Sequence, residues 1–144
     1  LCRCGNRGCL ELYASFVKPL EQLSRINNRP MTIAESIALA EAGDVGALRL
    51  IADAGTFGGR GLAMIGNIIN PPLIIVGGGL ALADQLLLRP MQQAYDRHVL
   101  LRSSELDAGS RTIITVGKFP ERDSLLGAVG LVLDQALFQS GDLN

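Results

Sequence analysis

Apolar residues recur along this chain with two different periods. Leu48, Ile51, Leu62, Ile65 and Ile69 fall at helical steps, with Gly55 and Gly58 on the same face, and so line one side of a long helix. Asp44 stands where it can cap that helix, and Pro71-Pro72 ends it. Upstream, Leu12 to Leu23 reads as a helix interrupted at Pro19, followed by a loop at Asn27, Asn28, Arg29 and Pro30. Thr32-Ile33-Ala34-Glu35 has the form of a capping box and opens a short helix that closes near Gly43. Downstream, Leu73 to Val76 is apolar at every position, the pattern of a strand covered on both faces. A helix from about Ala81 toward Leu100 follows, bent or divided at Pro90. Then come a polar loop over Ser103 to Ser110, a second strand over Thr112 to Val116, and a last helix capped by Asp123 or Ser124. That helix is expected to turn Leu125, Leu126, Val129, Leu133 and Leu137 inward. Helices, strand, helix, strand, helix is the order of an α/β fold.

Glycine density changes the picture of the longest helix. Gly55, Gly58, Gly59, Gly61 and Gly66 each cost about 1 kcal/mol relative to alanine inside a helix. Their clustering predicts a second backbone lying close against this one; the alternative is a frayed or broken helix. The uncharged stretch from Gly61 to Ala83 is long enough to span a bilayer, but Asn67, Asn70 and the proline pair break it at its centre. It reads as buried helix, turn and strand, and no membrane association is expected.

A chain of 144 residues, 48% hydrophobic and 19% charged, with no tryptophan, suits one ordered domain built on aliphatic packing. A net charge of −1 provides no basic field, so no direct contact with nucleic acid is expected of this segment. The chemistry concentrates at the start. Cys2, Cys4 and Cys9 are all the thiols in the chain, with Gly5 and Gly8 between them. Soft sulfur ligands select zinc, and the glycines permit the tight turns that aim three side chains at one point. A disulfide scaffold would spread more cysteines along the chain, and an unmetallated reduced loop is the remaining alternative. Clustered thiols of this kind suit the cytoplasm. Structural zinc takes four protein ligands and only three stand here, so the expectation is a fragment cut just after the fourth. His98, the only histidine, lies near a helix end far along the chain and reads as a partly exposed residue rather than that ligand.

Two further positions can carry chemistry. Gly77-Gly78-Gly79 between a strand and a helix presents bare amides at the carboxyl edge of a sheet, where nucleotides bind. It is neither a Walker A loop nor a dinucleotide fingerprint, and tight strand-to-helix packing explains it equally well. Glu11, two residues past Cys9, is placed either to accept hydrogen bonds from a polyol or simply to sit in the first turn of a helix.

CRCGNRGCLE resembles the signature of the ROK family, bacterial sugar kinases and sugar-responsive transcriptional repressors. Cys2, Cys4, Gly5, Gly8, Cys9 and Glu11 match its C-x-C-G-x-x-G-C-x-E pattern without departure. NPPLIIVGGGLA and GKFPERDSLLGAVGLVLDQALF resemble the strand-and-glycine segment and the closing strand and helix of the same family. The resemblance implies that residues 1–144 are the C-terminal lobe of an actin-like ATPase (ribonuclease H-like) fold, a mixed sheet packed with helices and a zinc loop at its start. It implies Cys2, Cys4 and Cys9 as zinc ligands, completed by an upstream histidine, and Glu11 as a contact to sugar hydroxyls. Gly77, Gly78 and Gly79 face the adenine nucleotide in members that bind one, so ATP and magnesium are implied only if the parent is a kinase. The family's phosphate loop, catalytic aspartate and winged helix lie outside this sequence, so the segment alone is expected to be catalytically inactive. The expected partners are a sugar or sugar phosphate and a second copy in a homodimer. The wording of the cysteine loop and of the tail favours a repressor over a sugar kinase.

Overall fold

The computed structural model describes residues 1–100, 112–119 and 122–141. The Ser103 to Ser110 loop and the side chain of Leu137 lie outside the described residues. In chain order the elements are α1 (Val17–Ile26), α2 (Ile33–Glu41), α3 (Val45–Ile69), β1 (Leu73–Val76), α4 (Asp84–His98), β2 (Ile113–Val116) and α5 (Asp123–Gly141). The architecture is α/β, as expected, although the described sheet is a parallel pair rather than a mixed sheet.

The core is the seam between α3 and α4. Asp44 caps α3 through Oδ1, which accepts the Ala47 N–H at 2.8 Å, and Asn70 closes it in a left-handed conformation at φ 47°. The glycines of α3 face α4. A Cβ at Gly55 would stand 2.5 Å from the Leu87 carbonyl oxygen; one at Gly59 would run into the Met91 carbonyl, and one at Gly66 into the Tyr95 hydroxyl. The expected close backbone is therefore α4, and α3 is neither frayed nor broken. Gly61, facing the Leu10 side chain, and Gly46, beside the Asp44 carboxylate, are the exceptions. Ile51, Ala54 and Ala63 of α3 and Leu87, Met91 and Tyr95 of α4 are buried along this seam.

Three expectations about helices need correction. Leu12 to Leu23 is not one helix: a 3₁₀ turn at Leu10–Leu12 precedes α1, and Pro19 falls in the first turn of α1. A missing N–H costs nothing there, because first-turn amides have no acceptor within the helix. The helix after the triglycine turn is not divided at Pro90; a 3₁₀ turn at Gly79–Ala83 leads into α4, which runs through the proline. Finally, Leu125, Leu126, Val129 and Leu133 of α5 do not point inward but stand 44 to 66% exposed. Leu131 and Val132 are exposed as well, so apolar groups surround the helix and no single face commits it to the core.

The two strands pair in register from Leu73 with Ile113 to Val76 with Val116. One face of the sheet, with Ile74, Val76, Ile114 and Val116, packs on the core. The other does not: Leu73, Ile75 and Ile113 are 50, 61 and 60% exposed, against the expectation of a strand buried on both faces. Only one helical layer covers the described sheet, so a continuous apolar run overstates its burial. Tyr95 anchors α4 to the sheet by donating from its hydroxyl to Thr112 Oγ1 at 2.9 Å, which donates to the Pro71 carbonyl at 2.7 Å. Among the described residues, no helix is long and apolar enough to cross a membrane.

The capping box of α2 is formed. Glu35 N–H donates to Thr32 Oγ1 at 3.2 Å, and Thr32 N–H donates to Glu35 Oε2 at 2.8 Å. The Thr32 backbone N–H, with Arg29 bound to Oε1 at 2.6 Å, holds the Glu35 carboxyl down at about 2.

Two outcomes follow for stability. Gly59→Ala forces the α3–α4 seam apart and destabilises by about 1–3 kcal/mol. Gly127→Ala in α5, where a Cβ meets nothing within 4 Å, stabilises by up to about 1 kcal/mol. Denaturant titration of both variants checks the contrast in sign. For acid, the folded carboxyl of Glu35 titrates below its unfolded value of 4.5. Its contribution is therefore complete above about pH 4.5 and fades as pH falls toward 2. Glu35→Gln should flatten the dependence of unfolding free energy on pH across that window.

Candidate metal loop and ligand site

The first nine residues form a loop folded on its own backbone. Gly5 and Gly8 take left-handed conformations, φ 85° and 73°, which a side chain would strain. Cys2 N–H donates to the Asn6 carbonyl at 2.8 Å and Gly5 N–H to the Cys2 carbonyl at 3.0 Å. The result brings the three sulfurs within 4.8 Å of one another, with Cys4 and Cys9 at 3.5 Å. Thiolates on zinc bonds of about 2.3 Å at tetrahedral angles lie about 3.8 Å apart. The donor set and its spacing thus fit a divalent, sulfur-preferring ion that takes its fourth ligand from elsewhere. Cys2 is buried, Cys9 half-buried and Cys4 exposed.

Without metal, the thiols share protons unevenly. The Asn6 backbone, and then Cys9, stabilise the Cys4 thiolate and lower its pKa. Its hydrogen bond to Cys4, with Cys2 beside it, pushes Cys9 up to about 11. A metal entering the loop at neutral pH must therefore displace a proton from Cys9. His98 lies apart from this group. It is exposed in the last turn of α4, with Nδ1 on the Ala94 carbonyl at 2.8 Å, as its sequence position predicts.

Glu11 lies in the 3₁₀ turn directly after the loop. Its Oε2 faces the Cys2 sulfur at 3.8 Å and its Oε1 binds Arg3 at 3.0 Å. With Cys2, Arg3, Leu12 and Val17 it lines a cavity of about 170 Å³. A three-residue turn has almost no macrodipole, so the carboxylate is oriented by the cysteine loop instead. Sequence reasoning missed Arg3, whose reach to Glu11 depends on how the loop folds.

The triglycine turn lies at the carboxyl end of β1. Gly78 is left-handed at φ 79°, and Gly79 opens the 3₁₀ turn. Ala14, Ser15, Phe16, Leu20 and Ile33 wall a cavity of about 380 Å³ above it, and Val17 is common to this cavity and the one at Glu11. A Cβ at Gly79 would stand 2.7 Å from Ile33 Cδ1. Asp123 was expected only as a helix cap. It instead seats its carboxylate between Gly77 and Gly117 and accepts the Phe119 N–H on Oδ1 at 3.2 Å. Two glycines facing one carboxylate at adjacent strand ends are visible only after the strands have paired.

A helix-backed parallel sheet with a glycine turn at its carboxyl edge defines an α/β protein. Its fold is that of the ROK actin-like sugar kinases. The glucokinase of Streptomyces griseus, solved with glucose and AMPPNP, superposes with a TM-score of 0.76 at 23% identity, over 91% of this chain and 46% of that one. The profile of the ROK family matches residues 1–135, and the chain belongs to this family. The xylose repressor of Bacillus subtilis is 29% identical over 94% of this chain and 34% of its own length. The glucokinase of Halalkalibacterium halodurans is 28% identical over 81% of this chain and 39% of its own. The chain therefore spans between a third and two fifths of the length of these two curated relatives.

For the loop, one zinc per chain is expected by elemental analysis. Cys4→Ser and Cys9→Ser lose it, whereas His98→Ala keeps it. Zinc titration at neutral pH should release protons, measurable by pH-stat.

Proposed function

We propose that this chain is the sugar-sensing, zinc-holding and dimerising lobe of a ROK transcriptional regulator. The position of Glu11 carries the reading: its carboxylate lies against the cysteine loop and lines a cavity of about 170 Å³. Cys2, Cys4 and Cys9 would hold the ion, which stiffens the loop; Glu11 would accept hydrogen bonds from hydroxyls of a sugar or sugar phosphate. The sugar acts on transcription only through different affinities for DNA-competent and DNA-incompetent states, and DNA contact belongs to a separate domain. A net charge of −1 supports that division of labour, and the clustered reduced thiols support a cytoplasmic setting. Exposed apolar side chains on α3 and α5 support a homodimer.

The wording of the cysteine loop and of the closing segment favours a regulator over a kinase, and the triglycine cavity is neutral between them. Its walls are Ala14, Phe16, Val17, Leu20, Ile33 and Leu80, with Ser15 as the one polar side chain and no charged one. Phosphates would find backbone amides there, and the Asp123 carboxylate lies beside Gly77. The second reading, an ATP-dependent sugar kinase, draws support from those same amides, which suit the adenine side of a nucleotide.

Calorimetric titration with glucose, xylose and glucose 6-phosphate tests the reading. Zinc-loaded chain should bind one of them, and Glu11→Gln should weaken that binding at least tenfold, the worth of a charged hydrogen bond. Added ATP and magnesium should yield no sugar-dependent ADP. Sugar-dependent ADP formation would overturn both the regulator reading and the expected inactivity of the segment, and sugar affinity indifferent to Glu11 would remove the sugar site.

A further inference from the structure

We propose that Cys4 and Cys9 form a redox modification site, the one pair of thiols that a peroxide joins as a disulfide, and that this bridge and a bound metal exclude each other. The inference goes beyond the regulator reading and holds equally for a kinase.

The fold of the loop selects one pair from three thiols. The Cys4 and Cys9 sulfurs are in contact at 3.5 Å and need only close to the bonded distance of about 2.05 Å. Gly5 and Gly8 lie between them, at φ 85° and 73°, and already make the turns that bring the two cysteines together. Backbone bonds hold that shape, from Cys2 N–H to the Asn6 carbonyl and from Gly5 N–H to the Cys2 carbonyl. A bridge between Cys4 and Cys9 therefore asks for side-chain movement and little else. Cys2 is the thiol left out. It is buried, and its S–H is turned to Glu11 Oε2 at 3.8 Å. A single residue separates it from Cys4, too short a span for an unstrained bridge. Cys4 is exposed, so a reagent in solvent meets it first, and half-buried Cys9 stands within reach to resolve it.

The chemistry is a two-electron oxidation by one peroxide. The Cys4 sulfur attacks a peroxide oxygen and the O–O bond breaks. One oxygen leaves as water with the Cys4 proton, and the other stays on sulfur as a sulfenic acid. The Cys9 sulfur then attacks the Cys4 sulfur. The S–O bond breaks as the S–S bond forms, and the second oxygen leaves as water with the Cys9 proton. A thiol reductant returns both cysteines by exchange. The three sulfurs lie within 4.8 Å of one another as a single donor set. A bridge consumes two of them and leaves only Cys2, too few for a sulfur-held ion. Conversely, an ion bound by both thiolates occupies the electron pairs that the peroxide needs.

Peptide mapping of the zinc-free chain after hydrogen peroxide and alkylation tests the pairing. Trypsin cuts after Arg3 and Arg7, so each cysteine falls on its own peptide. The peptide of residues 4–7 should be joined to the one that begins at Gly8, two hydrogens below their summed mass, with Cys2 alkylated alone. In the folded chain this pair should exceed Cys2 with Cys9 at least about tenfold, whereas in urea the two should be comparable, since loops of similar length close at similar cost. Cys2→Ser should still form the bridge, and dithiothreitol should reverse it. Zinc-loaded chain, followed with a chromophoric chelator, should release one ion per disulfide, and oxidised chain should take up none until reduced. A bridge through Cys2, disulfide-linked dimers, sulfinic acid at Cys4 without a bridge, or a folded preference no greater than that in urea overturns the pairing. Undiminished zinc uptake by the bridged chain overturns the exclusion. A reduced chain that binds no zinc removes the metal from the loop and the exclusion with it, while the peptide map still decides the pairing.

Discussion

Everything in this fold is referred to the contact between α3 and α4. Backbone lies on backbone along that seam, because glycine removes the side chains that would hold the helices apart. The carbonyl of Met91 occupies the space a methyl group on Gly59 would need, and the Tyr95 hydroxyl does the same at Gly66. Close approach lets α4 reach the sheet while still buried against α3, and Tyr95 uses that position to bind Thr112 and, through it, Pro71. The strand ends, the triglycine turn and the first turn of α5 are all placed from this one seam.

The cysteine loop attaches to the frame by a different route. Leu10, just after Cys9, packs against Gly61 of α3, so this glycine contact fixes the exit of the loop rather than a second helix. Glu11 follows immediately and is bound from behind by Arg3 and Cys2. The carboxylate therefore has its orientation from the loop and its location from α3.

Local chemistry was legible before the structure; long-range burial was not. The capping box at Thr32, the Asp44 cap and the clustered thiols follow from residues a few positions apart, where physical reach is set by the chain itself. Glycine density in α3 also gave the right conclusion, since the residue has no other reason to accumulate in a helix. Leu73 to Val76 and the leucines of α5 misled because apolar character states that a residue favours cover, not that the described chain supplies it. Arg3 and Asp123 were missed for the opposite reason. Each acts across a fold that must form first, Arg3 over the hairpin of the cysteine loop and Asp123 between two paired strand ends.

Val17, at the first position of α1, lines both the cavity beside Glu11 and the cavity above the triglycine turn, besides a third along α1. A partition shared by two chambers cannot move for one occupant without altering the room left for the other. Any ligand that shifts it in one chamber must alter affinity in the second by the same factor that the second occupant alters the first.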